Sequence, residues 1–239
     1  MSTTTVDATK IGQARETIDE ALRIPGRVCV TCSFQTEDMI VVELVREHLP
    51  DVPVLFLETG YHFPEVYRYR DEMQARYQLN VVNVLPKATV AEQESQHGLL
   101  FQSRPDECCK LRKVGPLFEA LQGYEIWFTG LRRVQSPTRA NLQPIDRFPL
   151  ASGKELLKVS PLATWSDKEV WQFARERDIP LLSLYNDGYT SIGCAPCTAK
   201  PLDDANLRSG RWGGRKVECG IHIAEPASSV GANAKNEAR

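Results

Sequence analysis

Apolar positions in this chain alternate between two spacings. Val28–Cys32 and Val52–Leu57 are short runs rich in β-branched and aliphatic residues, the second containing Pro53. Each is followed by a segment of helical spacing: Ile40, Leu44 and Val45 within Met39–Leu49, then Pro64–Tyr77, opened by a proline in its first turn. Compact apolar runs read as buried strands, and a 3.6-residue period reads as a helix facing a core. Asn80–Leu85 and Glu125–Thr129 supply two more strands, and Leu111, Val114, Leu117, Phe118 and Leu121 form another helical stripe. Ser166, with Glu169 three residues on, has the pattern of a capping box for a helix carrying Val170, Phe173 and Ala174. Trp165 and Trp171 share that helical context and read as packing residues.

Strands and helices in turn, joined by short links, predict an α/β fold: a doubly wound, mainly parallel sheet with helices on both faces. The pattern fades after Thr198, where the chain becomes glycine-rich and charged, and Glu225–Arg239 has too little apolar content to pack. The expected organisation is an N-terminal helical segment (1–26), a body (27–197) and a mobile C-terminal tail (198–239).

Composition narrows the function. The 239 residues carry 29 basic and 31 acidic side chains, a net charge of −2, which argues against a nucleic-acid binder. Hydrophobic residues at 42% and charged residues at 25% are ordinary globular usage and exclude disorder as the main state. Val52–Leu57, the longest apolar run, falls far short of the roughly 20 residues that cross a bilayer. Met1–Lys10 is polar and lacks a secretory pattern, so a cytoplasmic location without membrane attachment is expected. In a reducing compartment, clustered thiols among the seven cysteines favour metal binding or catalysis over disulfides.

Cys108-Cys109 and Cys194-x-x-Cys197 are distant pairs suited to one site, either zinc or an iron-sulfur cluster. Adjacent cysteines on a helix diverge by about 100°, which suits two irons of one cluster better than one ion. Buried inert thiols are the third reading. Cys29 and Cys32, in a strand-like run, point to opposite faces and read as core and loop-lining thiols.

Three basic groups, Lys110/Arg112/Lys113, Arg132/Arg133/Arg139 and Arg208/Arg211/Arg215/Lys216, lie near expected loops or strand ends and imply a local anion site. Ser33–Asp38 joins the first strand to its helix, where free N–H groups meet phosphates, although it lacks the glycines and lysine of a P-loop. Cys219, in Glu218-Cys219-Gly220-Ile221-His222, follows three glycines and lies near Arg215 and Lys216. That setting favours a thiolate delivered to an electrophile.

Taken in order from Arg27 to His222, these pieces resemble the assimilatory sulfonucleotide reductases, and their iron-sulfur adenylyl-sulfate (APS) reductases most closely. The resemblance rests on the Ser33–Asp38 loop, Glu58-Thr59-Gly60, Cys108-Cys109-x-x-x-Lys113 and Gly130-Leu131-Arg132-Arg133-x-x-Ser136-x-x-Arg139. It continues through Cys194-x-x-Cys197, Arg208-x-x-Arg211-Trp212 and the tail motif around Cys219. It implies an adenine-nucleotide α-hydrolase-like sheet with the nucleotide at the carboxyl ends of the strands. Ser33, Thr59, Lys113, Arg132, Arg139, Arg208, Arg211 and His222 are the implied substrate residues, and Cys219 the nucleophile. Cys108, Cys109, Cys194 and Cys197 would hold a 4Fe-4S cluster.

The activity implied is reduction of APS to sulfite and AMP through an S-sulfonated cysteine resolved by thioredoxin, or by glutaredoxin, in sulfate assimilation. With no fused thioredoxin-like domain in view, the donor is expected to be a separate protein. A PAPS reductase with the same mechanism is the nearest alternative; an ATP pyrophosphatase-type adenylating enzyme and a zinc-binding module are more distant ones. Whether the chain forms a homo-oligomer is left open.

Overall fold

The computed structural model describes residues 7–203, 206–216 and 218–223. The expectation that Glu225–Arg239 stays unpacked lies outside the described residues. Helix α1 (Ala8–Leu22) precedes strand β1 (Val28–Thr31), helix α2 (Thr36–Arg46), β2 (Val54–Leu57), α3 (Pro64–Tyr77) and β3 (Val81–Val84). Helices α4 (Val90–His97), α5 (Leu100–Ser103) and α6 (Pro105–Cys109) lead through a π-helical turn, Lys110–Val114, into α7 (Gly115–Leu121). Strands β4 (Ile126–Phe128), β5 (Ile145–Pro149) and β6 (Glu155–Val159) and helix α8 (Asp167–Glu176) complete the body.

The strands form one sheet in the order β3-β2-β1-β4-β6-β5, parallel except where β5 pairs antiparallel with β6 at the edge. From the central β1 the chain winds outward through β2 and β3, then crosses to β4 on the other side. Strand ends therefore diverge between β1 and β4, where open α/β sheets bind ligands.

Period-two alternation divides the interior into two cores. Val30, Val54, Phe56, Ile126 and Phe128 pack with residues of α1, α2, α3 and α8. Cys29, Leu55 and Trp127, from the same strands, face the opposite side and pack with Leu117 and Leu121 of α7. Trp165 is buried in the first core as a packing residue, from the position just before the Ser166 N-cap of α8 and edge-on to Phe173. Trp171 departs from the packing reading: it is 36% exposed and lines the cleft above the sheet, edge-on to Tyr185. Its neighbours Val170 and Phe173 take the inward stripe of α8, which leaves position 171 turned away from the core.

Candidate active site

Above the carboxyl ends of β1, β2 and β4 lies a cleft of about 1060 Å3, at the upper end of small-molecule sites. Its floor is Thr31–Ser33, Leu55–Leu57 and Thr129–Arg132, and residues of the segments 189–193, 206–216 and 218–222 contribute the opposite wall. Ser33 stands exposed on this floor. Its N–H and Oγ–H donate to Asp38 Oδ2 at 2.7 and 2.6 Å, while Gln35 Nε2 donates to its Oγ. The turn is held in shape by Phe34, which adopts φ of 61° and is wedged edge-on against Phe56 and Tyr69. Gly130 closes the same corner: a Cβ there would stand 2.3 Å from Asp38 Oδ1. Burial pushes the Asp38 carboxyl up to about 6, opposed by its bonds from Ser33.

The arginines of the Gly130 segment have different partners. Arg132 is buried, and its NH2 donates at 2.6 Å to both Glu37 of α2 and Asp167 of α8. Arg139 forks onto Glu218 of the tail, with Nε–Oε1 at 2.9 Å and NH2–Oε2 at 2.7 Å. Arg208 reaches the same carboxylate at 3.9 Å and donates from NH1 to Ser191 Oγ. Burial lowers Arg208 to about 10, with Arg139 adding repulsion.

The second feature is a small pocket beside the cleft, lined by Cys108, Cys109, Cys194 and Cys197 with Tyr61, Phe101, Arg112, Lys113, Arg211 and Trp212. The π-helical turn positions the first pair. Pro116 has no N–H to offer the carbonyl four residues back, and the helix widens so that Gly115 N–H bonds to Lys110 O. Thr59 lies beneath this pocket and is absent from the cleft lining: its Oγ1 accepts from Cys194 Sγ at 3.4 Å and its carbonyl accepts from Arg112 Nε. Arg112 is an internal strut, bonded also to Ala88 O and Gln93 Oε1.

The donor set fits a thiolate-held group. Four sulfurs from two chain segments share one pocket, and Arg112, Lys113 and Arg211 supply cations against their charge. Arg211 enters through a cradle at Gly193, where a Cβ would stand 2.1 Å from its NH2. Among the described residues, no three Cys, His, Asp or Glu side chains stand close enough together to hold a metal ion. Burial raises the thiols of Cys108 and Cys197 to about 11, and repulsion from Cys109 and Cys194 adds to the shift. Such a site keeps unligated thiols protonated.

Lys113 lines both pocket and cleft. Burial alone would lower its ammonium, but Cys194 and then Cys219 hold it above the ordinary value. Cys219 is half-buried on the cleft wall. Gly220, at φ of 97°, turns the chain there and packs toward Val114 of the π-helical turn, a conformation that L side chains adopt only with strain. Just downstream, the His222 ring stacks on Trp127 with centroids 5.4 Å apart, and its carbonyl accepts from Lys158 Nζ at 3.3 Å. Burial and the cations Lys158, Arg139 and Arg208 push the imidazole well below its ordinary value, leaving it neutral. The buried atoms Arg132 Nε, Arg211 Nε and His222 Nδ1 have no hydrogen-bond partner among the described residues, and all three residues line the cleft.

Ser33, Lys113, Arg132, Arg139, Arg208, Arg211, Cys219 and His222 thus share one cleft, with the four-cysteine pocket adjoining it through Lys113 and Arg211. Sequence reading missed Trp171 on the cleft and Lys158 and Trp127, which hold His222. Lys158 is the one with a readable signal, a lone lysine within the apolar stretch Leu156–Val159.

Known proteins similar to this chain include relatives of one name and solved structures of one fold. Adenosine 5'-phosphosulfate reductase of Mycobacterium tuberculosis is 48% identical over 203 residues, covering 81% of this chain and 78% of the relative. The Streptomyces coelicolor protein of the same name is 48% identical over 198 residues, covering 82% of each. Among solved structures, phosphoadenylyl-sulfate reductase from Candida auris superimposes with a TM-score of 0.67 at 25% identity, covering 78% of this chain and 90% of that one. FMN adenylyltransferase from Candida glabrata, at TM-score 0.57 and 16% identity over 95% of this chain and 79% of its own, shares the fold. The family described as phosphoadenosine phosphosulfate reductase domain matches residues 27–200, the stretch that builds the sheet, the cleft floor and both cysteine pairs, and the chain belongs to that family.

Proposed function

We propose that this protein is an oxidoreductase of sulfate assimilation that reduces APS to sulfite and AMP. The observation that carries the reading is the position of Cys219: on the wall of a nucleotide-sized cleft, with Arg208, Arg211 and Lys113 lining the same cleft. Relatives named adenosine 5'-phosphosulfate reductase, 48% identical over most of the chain, support APS over its 3′-phosphorylated counterpart. Parallel assays with APS and PAPS separate the two substrates.

In the first step the Cys219 thiolate attacks the sulfonyl sulfur of APS. A sulfur–sulfur bond forms, the bond from that sulfur to the phosphate oxygen breaks, and AMP departs with the electron pair. Repulsion between a thiolate and a polyanion opposes this approach. Lys113, Arg139, Arg208 and Arg211 offset it and stabilise charge growing on the departing phosphate. Ser33 and the cleft floor orient the nucleotide, and the neutral His222 ring leaves Nδ1 for the substrate. In the second step a thiolate of a separate dithiol protein, thioredoxin or glutaredoxin, attacks Cys219 Sγ and expels sulfite. Its second thiol resolves the mixed disulfide, so the donor supplies both electrons and leaves as a disulfide.

Cys108, Cys109, Cys194 and Cys197 would hold a 4Fe-4S cluster. When bound, that cluster supplies a fixed charge beside Lys113 and a rigid frame for the pocket. Residues 27–197 thus bind nucleotide and cluster, 198–239 deliver the nucleophile, and helix α1 belongs to the segment before them. No helix among the described residues is long and apolar enough to cross a membrane, which is compatible with a cytoplasmic enzyme. Reductant-dependent sulfite release, assayed in wild type and Cys219→Ser, tests the reading: the variant should release none, and sulfite release by it would refute the assignment.

A further inference from the structure

Among the described residues lining the cleft, the carboxylates are Glu37, Asp38, Asp167 and Glu218. The first three come from the body, where Arg132 or the Ser33 turn engages them. Glu218 comes from the tail and takes the guanidinium of Arg139, while Arg208 stands 3.9 Å away and Thr138 Oγ1 donates at 3.2 Å. Arg139 NH1 donates to Gln135, so all three of its nitrogens are engaged while the tail is docked. Burial works to raise Glu218, but the Arg139 guanidinium holds it below the usual carboxylate range, and it stays charged. Two carboxylate oxygens in a guanidinium fork match the charge and spacing of two oxygens of a phosphate or sulfonate. Glu218 directly precedes Cys219, so its anchor sets the nucleophile's position to within one residue.

We propose that Glu218 is the positioning residue of the tail and an internal stand-in for the substrate's anionic end. It docks on Arg139 and Arg208 before substrate arrives, and the phosphosulfate group then takes the arginines from it, releasing Cys219 to seat over the sulfur. The two anions compete, so whatever the latch contributes to tail docking it subtracts from substrate affinity. The inference rests on the APS reading for the identity of the ligand alone; the latch itself is independent of it.

The test uses the full-length, cluster-loaded protein, iodoacetamide labelling of Cys219 followed by peptide mass, and ADP, whose second phosphate is a tetrahedral anion like the sulfonate but more highly charged. Without nucleotide, Glu218→Gln should label Cys219 roughly fivefold faster than wild type and bind ADP about 5–10-fold more tightly, the lower range of coupling between linked sites. Glu218→Asp, which keeps the charge, should return both values to within about twofold of wild type. Unchanged labelling in Glu218→Gln, or weaker ADP binding, would overturn the latch. ADP binding to neither protein while labelling still responds would count against the nucleotide reading and uphold the latch.

Discussion

Arg132 and Arg139 belong to one short segment and line one cleft, yet their carboxylate partners come from different parts of the molecule. Arg132 is fixed between Glu37 and Asp167, both on helices of the body, with a side chain only 4% exposed. Arg139 is held by Glu218 from the tail. A pair made within the body is part of the fold, whereas the pair made to the tail is, on the proposed latch, open to exchange. Arg132 holds α2, α8 and the Gly130 segment together, and on the proposed function Arg139 handles the anion.

Substituting each arginine tests that division most strongly. Arg139→Ala should lower kcat/KM by about 10^2–10^3-fold, the usual cost of removing one donor to developing charge. Its thermal midpoint should stay near that of wild type. Arg132→Ala should instead lower unfolding free energy by about 1–3 kcal/mol, because Glu37, 17% exposed, loses its cation while keeping the Gln135 amide. Urea denaturation reads that loss, and an Arg132→Ala protein of unchanged stability would break the comparison.

Asp38 gives the body side a pH signature. Its folded value of about 6 lies above the ordinary 3.8, so its contribution to stability is fully present below pH 3.8 and is lost as pH rises through about 6. The stability gap between Asp38→Asn and wild type should therefore move in the variant's favour between pH 4 and 7, by on the order of 2 kcal/mol. A gap that does not change with pH would place the carboxyl at its ordinary value. The smallest effect belongs to the tail's second anchor. Lys158→Met removes the donor to the His222 carbonyl and should speed Cys219 labelling by only about two- to threefold, as expected for one hydrogen bond. A larger effect there than at Glu218 would reverse the order of the two anchors.

The same contrast explains what could be read from the sequence. Strands β1 to β4 and helices α2, α3, α7 and α8 follow from apolar periodicity because each has a face committed to one core. The β5–β6 hairpin escapes that reading: Ile145–Pro149 holds an aspartate, an arginine and a proline, and β6 carries Lys158 in its middle. Lys158 is tolerated there because its ammonium sits over the Phe148 and Trp127 rings. Helix α4 has little apolar content but begins with a Thr89–Glu92 capping box, a local signal that could have located it. Family resemblance placed the four cysteines and the basic residues together, but no periodicity links Arg139 to Glu218 or His222 to Trp127. Those pairings join segments remote in sequence and are set by how the tail lies on the finished body.

The central claim is that Cys219 itself captures the sulfonyl group. Mass spectrometry of cluster-loaded protein, treated with APS in the absence of reductant, tests it most directly. The account predicts one added SO3 on the Cys219 peptide, matched by released AMP and discharged as sulfite when a dithiol protein is added. Stoichiometric AMP release with the Cys219 peptide unmodified, or the adduct on another cysteine, would contradict it.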